Sequence, residues 1–171
     1  MLETYPIGRP TIPDTLELGA VLTAIDRIEV LPEAAREAVA GCDDLDHPIR
    51  PGAWTIRAVV HHLADAHMNA FLRSKRVLTE DGPTIESVDI DAWARTADVD
   101  APIERSLTLL DGLHPRWVEL LRRCGPAELE RPWFVRNDAA PRTLWRSVLI
   151  YGWHGDHHVA QIRQVRDRDG V

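Results

Sequence analysis

With 171 residues, 44% hydrophobic and 27% charged, the chain has the size and balance of one globular domain and is too short for two comfortable ones. Its formal net charge of −7, with acidic and basic residues interspersed, disfavours a nucleic-acid partner and leaves room only for a local basic pocket that takes a small anion. Apolar runs are short and broken by charge, which excludes a membrane span. The two cysteines, Cys42 and Cys124, stand far apart in no C-x-x-C pairing, which excludes a disulfide framework and a cysteine-rich zinc site.

Taken in chain order, residues 1–13 hold Pro6, Gly8, Pro10 and Pro13 and read as an extended arm. Met1–Pro6 lacks the basic start and apolar stretch of a signal peptide, so a cytoplasmic location is expected. From Asp14 to about Ile28, apolar residues at 18, 21, 22, 25 and 28 form a helical stripe. Pro32 is expected to break it, with a second helical piece running to Ala40 and ended by Gly41. Residues 42–54 read as a loop. Thr55 is a plausible N-cap for a long helix to about Leu78. A turn-rich segment, Thr79–Pro102, follows, with a short helix expected around Ile90–Arg95. Pro102 suits the first turn of the next helix, lined by Ile103, Leu107, Leu110, Trp117 and Leu121. Pro115 within that pattern predicts a kink, and Gly125-Pro126 ends it. Residues 126–142 read as a loop carrying the apolar patch Pro132–Val135. Thr143 then caps a last helix whose stripe runs Leu144, Val148, Tyr151, Gly155, His158, Ile162, Val165. Four substantial helices and no convincing strand predict a single all-α domain over 1–171, a four-helix bundle with long connecting loops.

Six tryptophans and eight histidines are conspicuous. Six of the histidines fall in two clusters, His61, His62 and His67 against His154, His157 and His158. His154 and His158 are four apart, so on a helix they stack on one face and their imidazoles can converge on one ion. A third ligand must come from another element, with His61 or His62 the natural source. His62 flanks the core stripe of its helix, whereas His61 is angled differently. His67 and His157 are weaker candidates, better suited to supporting or surface roles. A lone H-x-x-x-H is more often not a metal site, but several rings on buried stripes would each be costly unpaired, and one shared ion satisfies them together.

Several segments carry a family resemblance. Tyr5–Gly8, the run Trp54-Thr55-Ile56-Arg57-Ala58-Val59-Val60-His61-His62-Leu63-Ala64-Asp65-Ala66-His67-Met68-Asn69, Leu78–Glu80, Asp91–Trp93, His114–Trp117 and Trp153–Ala160 are collinear and resemble the YfiT branch of the DinB-like superfamily. The resemblance implies an up-down-down-up bundle and one divalent transition metal per chain. Its ligands would be His62, His154 and His158, with zinc the first choice and nickel, iron or cobalt the alternatives. Close relatives often carry histidine where this chain has Gln161, three residues after the last ligand, which puts any supporting role there in question.

Three imidazoles would leave an ion at least one open position, the arrangement of a catalytic site. The resemblance implies a metal-dependent transferase that activates a small thiol such as bacillithiol for attack on an electrophile. A metal-dependent hydrolase acting through activated water is the runner-up, and a non-catalytic bundle with a structural metal the bland reading. Expected partners are therefore a small thiol and an electrophilic substrate, with no nucleic acid or membrane, and a second copy of the chain in a homodimer. No catalytic side chain stands out. Asp65, one turn after His62, could orient an imidazole from outside or equally be a surface carboxylate. Asn69, Arg73 and Tyr151 share plausible inward faces. Arg73 could hold a substrate carboxylate or phosphate, although snorkelling to the surface is its more common role. Trp54, Trp93, Trp117 and Trp153 serve packing or pocket walls, and the cysteines packing alone.

Overall fold

The computed structural model describes residues 3–136, 138 and 140–171. Four long helices, α1 (Leu18–Val39), α2 (Ile56–Thr79), α4 (Glu104–Arg122) and α6 (Leu144–Asp169), form a bundle; the short helices α3 (Ile90–Trp93) and α5 (Pro126–Leu129) and a 3-10 turn (Ala97–Asp100) lie in the connections. No helix among the described residues is long and apolar enough to cross a membrane.

Cross-helix pairs give the direction of every helix. Asp26 and Glu29 meet Arg122 while Arg36 meets Asp111, so α1 and α4 are antiparallel. Arg27 pairs with Asp156 and Glu37 with Arg163, so α1 and α6 run together. His61 meets Ser106 and Ser74 meets Trp117, so α2 and α4 run together. His62 faces His158 and Arg73 meets Tyr151, so α2 and α6 are antiparallel. The helices thus run up, down, down, up, and the link between the two parallel helices α2 and α4 must travel back along the bundle through residues 80–103. Glycine permits the close approach of α1 and α6: a Cβ at Gly152 would lie 2.9 Å from Ala24, and one at Gly155 would lie 2.8 Å from Leu31.

Pro32 does not break α1, contrary to expectation. It lacks the N–H that would bond the Ile28 carbonyl, and the buried His114 of α4 donates its Nδ1–H to that carbonyl instead. α4 likewise continues through Pro115. The first helix begins at Leu18, four residues after Asp14. Thr55 caps α2 as expected, its hydroxyl accepting from the Ala58 N–H at 3.1 Å, whereas Thr143 precedes α6 without a side-chain cap bond.

The expectation of no strand is corrected by a small sheet, β1 (Thr84–Ile85), β2 (Pro132–Val135) and β3 (Arg142–Thr143). β1 and β2 pair in parallel (Thr84 with Phe134), and β2 and β3 antiparallel (Trp133 with Arg142). The predicted 126–142 loop therefore contains α5 and β2. The sheet ties the α2–α4 connection to the α4–α6 connection, and Arg131 secures it by donating to the Val77 and Glu80 carbonyls at the end of α2 at 2.6 and 2.8 Å.

Two apolar clusters fill the bundle. One gathers Leu31, Ile56, Val59, Leu63, Leu110 and Ile162; the other Ile25, Ile28, Phe71, Trp117, Trp145 and Val148. On α2 they are separated by the turns bearing His67, on α6 by the turns bearing Tyr151, His154 and His158, and on α4 they meet near His114. A layer of histidines is thus sandwiched between two hydrophobic cores.

Candidate metal centre

Within that layer His62 of α2 and His154 and His158 of α6 each turn one nitrogen inward, the three atoms lying within 4.8 Å of one another. His154 and His158 meet edge to face with ring centres 4.6 Å apart, the outcome of their four-residue spacing. His62 Nε2 stands 3.1 Å from His154 Nε2, roughly one edge of a coordination polyhedron with metal–nitrogen bonds of about 2.1 Å. The donor set therefore fits a divalent ion of zinc-like preference. Such an ion would bind to His62, His154 and His158.

Burial keeps these rings neutral. It lowers the His62 pKa to about 4, against a raising effect of the Asp91 carboxylate. It lowers His158 to about 3, helped by His62 and His157 and opposed by the Gln161 hydrogen bond. His154 is held well below the ordinary imidazole value by burial and then by the surrounding histidines. Near pH 7 all three present lone pairs, the form a metal requires.

A hydrogen bond behind the triad sets the tautomer of His158. Gln161 Nε2 donates to the Thr4 carbonyl at 3.1 Å, so its Oε1 faces His158 and accepts the Nδ1–H at 2.9 Å. That leaves His158 Nε2 unprotonated and aimed inward. Gln161 thus links the N-terminal arm to α6 behind His158. His154 Nδ1 lies 3.2 Å from His67 Nε2; with Nδ1 donating, His154 Nε2 is likewise free for a metal. His67 is fully buried and stacks on His114 at 5.0 Å and 13°.

The remaining candidates separate clearly. His61 points away, Nδ1 meeting Ser106 Oγ at 2.7 Å and Nε2 the Ala101 carbonyl at 3.1 Å. Asp65 makes no hydrogen bond to the triad among the described residues; it lies in a cleft lined also by His61, His62 and Asp98, and burial and Asp98 raise its pKa. His157 stacks on Trp153 at 4.6 Å, beside Tyr5. Trp54 packs on His62 at 4.7 Å, Trp117 is buried and donates to Ser74 Oγ at 3.0 Å, Trp153 donates to the Gly8 carbonyl at 3.1 Å, and Trp93 is exposed beside the Asp65 cleft. Asn69 is half-buried. Arg73 bonds the Tyr151 hydroxyl at 3.3 Å, one turn from His154. Cys42 and Cys124 bond backbone carbonyls within their own helical turns, and burial raises both thiol pKa values, so neither is a ready nucleophile.

On its outer side the triad meets a cavity of about 330 Å³ bounded by His158, Trp54, Tyr5, Arg50 and Asp91. Nothing in the sequence pattern marks Asp91 as a site residue. It stands within the Asp91–Trp93 segment of the family resemblance, but only the fold of the 80–103 connection brings it to His62.

Residues 27–162 match the DinB superfamily. A "putative metal-dependent hydrolase" of Geobacillus kaustophilus is 47% identical over 169 residues, covering 97% of this chain and 95% of the relative. A protein of the same description from Bacillus mycoides is 40% identical, covering 96% and 95%. YfiT from Bacillus subtilis, described as "a probable metal-dependent hydrolase with an unusual four-helix bundle topology", superposes with a TM-score of 0.92 at 36% identity over 98% of this chain and 97% of that one.

Proposed function

The chain belongs to the DinB superfamily, and from that premise we propose that it is a metal-dependent enzyme whose nucleophile is a small molecule held at His62, His154 and His158. The observation that carries this reading is the convergence of three neutral imidazole nitrogens within 4.8 Å, with no fourth histidine, cysteine or carboxylate in the group among the described residues. Bound there, a divalent ion supplies Lewis acidity that lowers the pKa of a coordinated thiol or water. The protein's own residues do the rest: Gln161 holds His158 in the ligating tautomer, His67 backs His154, Trp54 packs His62 in place, and the two flanking cores keep bulk water from the inner side.

Our finer reading is a thiol S-transferase of bacillithiol type. The thiol sulfur bonds to an electrophilic carbon, the leaving group departs with its electron pair, and the thiol proton passes to solvent. The lack of a reactive cysteine supports a nucleophile brought from outside. Hydrolysis is the second reading, favoured by the descriptions of the relatives. Zinc is the metal we propose, one per chain, and we include a homodimer in the proposal. The test is conjugation of bacillithiol or cysteine to monobromobimane by metal-loaded protein and by His62→Ala. Metal-dependent acceleration lost in the variant supports the transferase; thiol-independent, metal-dependent cleavage of an ester or amide assigns the hydrolase instead. A monomer mass by light scattering refutes the dimer.

A further inference from the structure

A second cavity, of about 440 Å³, opens between α2, α6 and the small sheet. Its walls combine aromatic surface from Trp133 and Tyr151 with the guanidinium groups of Arg73, Arg142 and Arg146. Arg73 lies over the Trp133 ring at 4.8 Å and the Tyr151 ring at 5.6 Å, and Arg142 over Trp133 at 5.4 Å.

The charges around this cavity do not cancel. Arg73 and Arg146 have no carboxylate partner among the described residues, and Arg142 pairs only with Asp138, at 3.1 Å on the surface. The cavity's own carboxylate, Glu86, is taken by Arg136. Arg73 spends one N–H on Tyr151, and its Nε is buried without a hydrogen-bond partner. A guanidinium has five donors, and holding it half-buried without an anion costs free energy. A locally positive pocket in a chain of net charge −7 needs a reason, and stacking on the two rings leaves the N–H edges of Arg73 free to meet an oxyanion.

We propose that this cavity is an anion site: Arg73, backed by Arg142 and Arg146, takes a carboxylate or phosphate group, and the apolar wall of Tyr151, Ile12, Val135 and Ile150 takes the apolar body attached to it. Tyr151 joins the site to the metal layer, its ring 5.5 Å from that of His154 and its hydroxyl on Arg73. The binding itself needs no metal and stands apart from the proposed reaction.

The test follows the Trp133 indole N–H by NMR, assigned through Trp133→Phe, as benzoate, benzamide or inorganic phosphate is added to full-length protein with and without zinc. Saturable binding of benzoate, unchanged by zinc or by His62→Ala, and weakened about tenfold in Arg73→Gln, is the expected result. Arg142→Gln with Arg146→Gln, on the more open side, weakens it several-fold and keeps the test alive should Arg73→Gln fail to fold. Benzoate binding more tightly than phosphate is expected from the apolar wall; phosphate binding as tightly as benzoate overturns the apolar half of the proposal. Equal binding of benzamide and benzoate, or no saturable shift with any probe, overturns the proposal.

Discussion

Two histidine groups share one layer of the bundle and behave oppositely. His62, His154 and His158 point nitrogens at a common centre, within 4.8 Å of one another, beside a cavity. His67 and His114 lie flat against each other, planes 13° apart, both wholly buried. In the second group no nitrogen joins the common centre: His67 Nε2 meets His154 from behind, and His114 Nδ1 supplies the bond that Pro32 withholds from Ile28. A ring used for ligation must converge its lone pair with others, whereas a ring used for structure need only find one partner. The two groups are nonetheless in contact, so they can be separated by substitution.

The largest effect is expected from the converging group. His154→Ala removes a ligand, and metal is lost on desalting, as read by elemental analysis; retention of a full equivalent breaks the comparison. Substitutions behind the ligands come next. Gln161→Leu and His67→Leu each leave a ligating ring without its outer hydrogen bond, and zinc affinity measured by chelator competition drops about 10- to 100-fold. An unchanged affinity shows that these bonds do not orient the ligands. His114→Ala acts on the fold instead. It leaves a cavity and an unpaired Ile28 carbonyl, costing about 2–4 kcal/mol in denaturant unfolding, with zinc affinity within about twofold. A parallel loss of affinity merges the two groups into one.

A separate effect falls on the pH dependence of the metal-free protein. Burial places the folded pKa values of His62 and His158 at about 4 and about 3, and those of His67 and His154 well below normal, against about 6.5 in the unfolded chain. Between these values the unfolded chain binds protons that the fold rejects, so stability declines as pH falls below about 6.5. Calorimetry of the metal-free protein should show a falling Tm between pH 7 and 5; a flat profile contradicts neutral burial.

Much of this site is legible from the sequence because helical periodicity is local. The i, i+4 spacing of His154 and His158 and the narrowing of the third ligand to His61 or His62 depend on turns a few residues long, and Thr55 marks its helix start in the same way; the choice of His62 comes from the family resemblance. What was missed depends on distant partners. Pro32 reads as a break until His114 bonds the Ile28 carbonyl from 86 positions further along the chain. Gln161 looks like a departure from the family pattern until its bridge to Thr4 is seen, 157 positions back. The two-residue strands β1 and β3 are too short for any period to register, and Asp91 reaches His62 only through the long return connection. Arg73 stays open between an anion contact and a snorkelling surface cation until the sheet brings Trp133 beneath it.

The most direct test of the central claim is X-ray absorption spectroscopy of protein loaded with one equivalent of zinc. The account predicts three imidazole nitrogens at about 2.0–2.1 Å, with any remaining neighbours being light atoms from solvent or buffer, and loss of one imidazole contribution in His62→Ala. A sulfur neighbour, a fourth imidazole, or a spectrum unchanged by that substitution contradicts it.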